Sequence, residues 1–315
     1  MFKRVLNRRQ FIADSGIAAS AALIVPGRLE ALQDKNPANL HLASNEYSWT
    51  VFYQRENRDF KGSLESALGD LTRSGLNGLE PSIEKTEEID RLARLLKKNN
   101  LEMRSIYVNS TLHQPDQVNK SIDQILAIAE KAKAQGTRII VTNPSPIRWG
   151  GPENKDDAQL RVQASALNRL GQQLRTLGLR LGYHNHDIEL RNAAREFHHM
   201  MVSTDPNFVS LCLDAHWVYR GAGNSSVALF DVVHLYGSRI IEVHLRQSVS
   251  NVWSETFSEG DIDYRALAKE LLRLGVKPHL VLEVAVEKGT PKTMDPVEAH
   301  RRSCEYARRI FAGFA

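Results

Sequence analysis

RIIEVHLR, residues 239–246, is the stretch that decides the fold. Successive side chains on a strand point to opposite faces, so Ile241, Val243 and Leu245 share one face while Glu242, His244 and Arg246 share the other. The branched apolar face suits packing under helices, which leaves His244 facing the axis of a closed sheet. Working outward, three more apolar runs end in the same way: LRLGYHNH (179–186), VSLCLDAH (209–216) and HLVLEVAVE (279–287). They put His184, Asp214, His244 and Glu283 near strand ends, at intervals of 30, 30 and 39 residues. Each run follows a segment with helical periodicity, so parallel strands are expected.

Reading period-2 against period-3.6 runs extends this alternation through the chain. Strands are predicted near 39–45, 76–81, 101–108, 137–142, 179–185, 208–214, 239–245 and 278–285. Helices are predicted near 63–74, 85–98, 115–134, 156–176, 192–203, 225–236, 263–274 and 295–312. Gly75, Gly136, Gly178 and Gly275 stand shortly before strands, as helix C-terminal caps do. Eight right-handed βαβ steps close an α/β barrel, a single (β/α)8 TIM barrel, which takes about 250 residues. A doubly wound open sheet would carry a glycine-rich phosphate loop after its first strand, and LHLASNEYSW (40–49) has none. Long loops at 143–155 and 246–262, with Trp149 and Trp253, suit a substrate rim.

The 315 residues leave room for an N-terminal extra. Lys3, Arg4, Arg8 and Arg9 precede a weakly apolar stretch, and Asn7-Arg8-Arg9-Gln10-Phe11-Ile12 resembles a twin-arginine export motif. The domain expectation is a twin-arginine signal peptide over 1–31 and a barrel over 38–315, in a periplasmic or otherwise exported protein. Residues 1–31 hold five Lys/Arg and two Asp/Glu, so removing them from totals of 41 and 37 leaves 36 against 35. A near-neutral remainder offers no broad basic surface to a polyanion, which argues against nucleic acid. No apolar run approaches a membrane span of about 20 residues. Cys212 and Cys304 are the two cysteines, too few for a disulfide framework and read as small buried apolar residues.

Four polar side chains converging on one barrel mouth are costly to bury unpaired, and a divalent cation satisfies them. Two imidazoles and two carboxylates suit Mn, Zn, Co or Fe better than Ca. The expected cofactor is one such ion held by His184, Asp214, His244 and Glu283.

The order and spacing of several strings then resemble the xylose isomerase-like TIM-barrel superfamily of sugar phosphate isomerases/epimerases and apurinic endonucleases, from about residue 38 onward. The strings are Gly78-Leu79-Glu80, YHNHDIE (183–189), LDAHWVYRGAG (213–223), EVHLR (242–246), EGDIDY (259–264) and LVLEVAVE (280–287). The resemblance implies that Asp214, His244 and Glu283 are the metal ligands of strands six, seven and eight. His184 stands where the family usually has a glutamate, and Arg246-Gln247 where it commonly has Lys-Asp. Its sugar epimerases exchange a proton between two metal-bound glutamates, of which this chain keeps Glu283. The tyrosine-led YHNHD string resembles the inosose dehydratase and 3-keto-glycoside-processing branch.

The expected chemistry is metal-dependent sugar or keto-sugar isomerisation or epimerisation by proton abstraction beside a carbonyl. The alternatives are a lyase or dehydratase on the same site and a non-catalytic periplasmic sugar-binding barrel. Glu283 is the candidate base, with His186 or His216 as its proton-donating partner. Glu80, Asn143, Tyr107, Trp217 and Arg246 are candidate substrate-binding residues. Trp49 and Trp253 are candidates for an apolar face; Glu189 reads as an exposed loop charge, with contact to a substrate hydroxyl as the alternative if the loop folds back. Arginine stays protonated, so Arg246 can orient or stabilise an oxyanion but cannot act as a base. Expected partners are a small unphosphorylated sugar or keto-sugar, a second copy of the chain, and the twin-arginine translocon during export. Neither nucleic acid nor a stable membrane anchor is expected.

Overall fold

The computed structural model describes residues 40–315; the leader expected at 1–31 lies outside the described residues. Eight parallel strands form the barrel: β1 (Leu42–Asn45), β2 (Gly78–Glu80), β3 (Ser105–Tyr107), β4 (Ile139–Thr142), β5 (Arg180–His184), β6 (Val209–Asp214), β7 (Ile240–Leu245) and β8 (His279–Leu282). Their order is β2-β1-β8-β7-β6-β5-β4-β3. Isolated parallel bridges, Gly78 to Glu102 and Ser82 to Tyr107, join β2 to the β3 segment and bring the sheet round on itself. Gly78 is required at that seam, because a Cβ there would lie 2.6 Å from the Glu102 carbonyl oxygen.

All eight predicted strands and all eight predicted helices are present, with shorter strand ends. The helix at Asp157–Thr176 shows how sequence fixes such an element. Asp156 accepts from the Gln159 N–H while the Gln159 side chain accepts from the Asp156 N–H, a capping box. Leu160, Ala164, Leu167, Gly171 and Leu174 then recur at helical spacing and are buried. The helix expected at 192–203 is entered through a left-handed turn, with φ of 53°, 58° and 56° at Asn192, Ala193 and Ala194.

Two helices and a hairpin were not foreseen. Glu46–Arg55 follows β1, capped by Asn45 accepting from the Tyr47 N–H at 2.8 Å; its aromatic and β-branched residues carry weak helix propensity. It takes Trp49 out of the mouth: Trp49 is fully buried and stacked on His300 at 4.1 Å. Ala215–Gly221 follows β6, and Ser248–Val249 pairs antiparallel with Val252–Trp253 in the loop after β7.

One face assignment is corrected. Leu211 pairs with Ile240 but Cys212 pairs with Glu242, so β7 carries an extra residue at Ile241. Ile241 consequently packs with Ile139, Val141 and Cys212, in a cluster apart from the main core. Glu242 still reaches inward, within 3.5 Å of the Cys212 Sγ.

Candidate metal and proton-transfer site

The four residues expected to hold a metal come together. One donor atom from each of His184, Asp214, His244 and Glu283 lies within 4.8 Å of the others. All four are buried.

Local structure aims each one. Asp214 ends β6 and caps the helix that follows: one oxygen accepts from the Trp217 N–H at 2.8 Å, and Oδ2 is buried with no hydrogen-bond partner. Asn185, after β5, clasps the same residue by donating to the Asp214 carbonyl and accepting from its N–H, both at 3.1 Å. Glu283 follows β8, its N–H bonded to the Leu245 carbonyl at 3.0 Å. His244 Nδ1 lies 2.5 Å from Glu283 Oε2, and its Nε2 lies 3.2 Å from both Glu80 and Glu242. His184 Nδ1 is 3.6 Å from the Cys212 Sγ. Carboxylates behind an imidazole fix which ring nitrogen faces a metal.

Arg246 is a second cation at the same carboxylates. It is 1 % exposed, donates to the Glu283 side chain and, at 3.1 Å, to its carbonyl, and stands 3.7 Å from Asp214 Oδ2. Its guanidinium lies over Trp217 at 4.9 Å and Trp253 at 4.4 Å. Tyr264, from the EGDIDY string, donates to the Arg246 carbonyl. Asp261 of that string accepts from Ser248 Oγ and the Ser250 and Asn251 N–H groups, bracing the hairpin.

Electrostatics divide the ionisable groups. Burial pushes Asp214 up to about 6 against the pull of Arg246. Burial also opposes the charge on Glu283, but Arg246 and His244 outweigh it and hold Glu283 down at about 2. His244 is raised well above its ordinary value: burial disfavours its cation, but the Cys212 thiol and the carboxylates of Glu80 and Glu242 crowd it. Since burial keeps that thiol neutral, we assign the effect to the carboxylates. His186 is lowered to about 4, chiefly by burial.

A cavity of about 370 Å³ opens onto this cluster, lined by His184, His186, Tyr107, Trp217, Arg246 and Glu283 from the expected set, together with Asn45, Tyr47, Ser82 and Trp149. Several expected residues do not line it. His216 is fully buried among Trp217, Tyr219 and Trp253. Glu80, also fully buried, accepts from Asn45 Nδ2 at 2.6 Å and sits behind His244. Asn143 donates to the His184 carbonyl and to Glu189, both at 2.9 Å.

Glu189 corrects the reading of an exposed loop charge. It is fully buried and accepts from the His186 N–H at 2.7 Å as well as from Asn143. The loop turns back into a 3-10 segment at Ile188–Leu190, a reversal that no residue pattern announces. Among residues the sequence reading passed over, Glu242 was marked by its inward parity beside His244; Tyr47 carried no signal.

The donor set fits a divalent ion. Two imidazoles and two carboxylates lie within chelating reach, and the orphaned Asp214 Oδ2 is the kind of buried acceptor a cation satisfies.

Comparison with known proteins agrees with this architecture. The family profile described as Xylose isomerase-like TIM barrel matches residues 69–310. An inosose dehydratase from Clostridium botulinum is 23% identical over 277 residues, covering 79% of this chain and 90% of the relative. A sugar phosphate isomerase/epimerase from Parabacteroides distasonis superposes with a TM-score of 0.66 at 17% identity, covering 87% of this chain and 95% of that one. A xylose isomerase-like TIM barrel protein from Mycobacterium smegmatis, solved in complex with magnesium, gives 0.68 at 14% identity, covering 89% and 99%.

Proposed function

This chain belongs to the xylose isomerase-like TIM barrel family, and from that premise we propose that it is a metal-dependent carbon–oxygen lyase of the dehydratase type, acting on an unphosphorylated keto-sugar. The observation that carries the reading is the cavity lining: Glu283 is its one carboxylate, and the ring beside it at the end of β5 is His184 rather than an acid. Among the described residues that line it, no second carboxylate stands opposite Glu283, as a glutamate-to-glutamate proton exchange needs. The chain's similarity to inosose dehydratases over most of their length supports the same choice.

A divalent ion at His184, Asp214, His244 and Glu283 would supply Lewis-acid polarisation of the substrate carbonyl. The chain's own residues do the rest. Glu283, kept anionic by Arg246, is positioned to accept a proton from the carbon beside the carbonyl. The electron pair of that C–H bond becomes the carbon–carbon double bond as the β carbon–oxygen bond breaks. The proton taken up by Glu283 passes to the departing oxygen by way of the neutral His186 ring, which accepts at one nitrogen as it donates from the other, so that water and an unsaturated ketone leave. Glu189 and Asn143 hold the His186 backbone and the end of β5 during this exchange. Trp217 and Tyr107 shield the cavity walls.

The charged lining residues, Arg246 and Glu283, neutralise each other, and no unpaired cation among the described residues lines the cavity for a phosphate. Export through a twin-arginine leader, also proposed, agrees with an unphosphorylated substrate. A second reading, epimerisation with Glu283 and His186 as the two proton carriers, is favoured by His186 lying in the same cavity as a neutral ring.

Metal-loaded protein incubated with inosose and with 3-keto-glucose in D2O, followed by NMR, tests the proposal. Loss of water with an unsaturated product is expected. Recovery of a deuterated isomer would establish the second reading instead, and sugar binding without product would contradict both.

A further inference from the structure

We infer that Cys212 is a further metal-ligating residue, so that a thiophilic divalent ion such as zinc or cobalt takes its sulfur as a donor, whereas a hard ion such as manganese does not. The inference rests on the metal dependence of the proposed function and not on the reaction. Three observations lead to it.

The thiol belongs to the converging side chains. One donor atom from each of His184, Cys212 and His244 lies within 4.8 Å of the others, and all three residues are buried. The two histidines also belong to the set with Asp214 and Glu283. Register explains the meeting: Cys212 is paired with His184 across β5 and β6 and with Glu242 across β6 and β7. It shares the inward parity of Asp214, two residues on. Gly182 keeps the space beside it open, because a Cβ there would lie 3.2 Å from the Cys212 Cβ.

The two cysteines have different surroundings. Cys212 Sγ is 3.6 Å from His184 Nδ1 and 3.5 Å from Glu242 Oε1. Cys304, on the helix Pro296–Ile310, sits in the main apolar core, and its sulfur has no hydrogen-bond partner among the described residues. Cys304 therefore serves as a small apolar residue. Cys212 has ionisable neighbours instead.

Those neighbours suit a cation. Glu80 and Glu242, both fully buried, stand 3.2 Å from His244 Nε2, and Glu80 Oε1 has no hydrogen-bond partner. A buried carboxylate oxygen left unpaired is costly. An ion held at the Cys212 sulfur brings positive charge beside Glu242. Thiolate and imidazole are also the donors that select zinc, while carboxylates suit manganese and magnesium. His184, standing where a glutamate is usual, shifts the set towards the softer ions in the same sense. Ligation replaces the S–H proton by the ion, and the proton passes to the buffer.

Cobalt added to the full chain after chelator treatment tests the inference by absorption spectroscopy. The parent and Cys304→Ala should both show a thiolate-to-cobalt charge-transfer band in the near ultraviolet. Cys212→Ala should lose the band yet keep one equivalent of cobalt, since His184, Asp214, His244 and Glu283 remain. Zinc affinity, read by competition with a chelating dye, should fall about 10-fold or more in Cys212→Ala, because even an outer support of a metal site is worth that much. Manganese affinity should stay unchanged. X-ray absorption of the zinc-loaded parent needs no variant that folds, and a sulfur neighbour at about 2.3 Å is expected. A shell of nitrogen and oxygen alone, cobalt bound without the band, or a band that survives in Cys212→Ala would overturn the inference and leave the metal-dependent reading standing. A parent that binds no cobalt would overturn both.

Discussion

The two halves of the barrel are built differently. β5 to β7 run five or six residues, and with β8 they deliver His184, Asp214, His244 and Glu283. β1 to β4 run three or four residues and deliver no member of that set. Their contributions are supporting: Asn45 and Glu80 stand behind His244, Asn143 behind His184, and Tyr107 in the cavity wall. One half thus supplies the clustered donor groups, and the other supplies side chains that hold them in place. The difference teaches that a barrel's symmetry of fold is not a symmetry of function, and it can be broken experimentally.

The largest effect is expected in the ligand half. His244→Ala and Asp214→Ala should each abolish stoichiometric metal after dialysis, as measured by elemental analysis, whereas Tyr107→Phe in the other half should leave metal content full. Retention of one equivalent in either alanine variant would remove the distinction between the halves.

Glu189 joins the halves through His186 and Asn143. Glu189→Ala should lower turnover by about 10- to 100-fold, the usual cost of removing an outer support of a metal site, with metal content intact. Unchanged turnover would mean that His186 needs no support from behind.

Gly78 tests the seam of the thinner half. A methyl group there meets the Glu102 carbonyl, and Gly78→Ala should cost about 1–3 kcal/mol in urea unfolding, with little effect on metal stoichiometry.

The smallest effect concerns acid stability away from the site. Burial lowers His300 to about 4 in the folded chain, against 6.5 ordinarily. A depressed folded value means that the unfolded chain takes up the proton first. The contribution of neutral His300 is therefore fully present above pH 6.5 and is lost as pH falls towards 4. His300→Gln should flatten unfolding free energy against pH across that window; an unchanged slope would show that other buried groups govern it.

The same asymmetry explains what was legible in the sequence. Strands that end in a lone polar residue after an apolar run announce themselves, so the four clustered donors could be placed by parity and spacing alone. The supports could not. Whether Glu189 is buried depends on a loop reversing into a 3-10 turn, and whether Glu80 faces a sugar or a histidine depends on how far it lies below the mouth. Ile241 escaped for a third reason, because a bulge breaks the alternation on which a face assignment relies. His216 shares the parity of Asp214, but the helix that Asp214 caps carries it into an aromatic cluster. Sequence periodicity describes elements, and these residues are defined by what happens where elements end.

The central claim is that His184, in a glutamate's place, leaves one carboxylate facing the substrate and tilts the chemistry towards elimination. NMR of keto-sugar turnover in D2O by the parent and by His184→Glu tests it most directly. The account predicts an unsaturated product from the parent and a rising share of deuterated isomer from the variant, with metal still bound. A metal-loaded variant with the product ratio of the parent, or a parent that yields deuterated isomer alone, would contradict it.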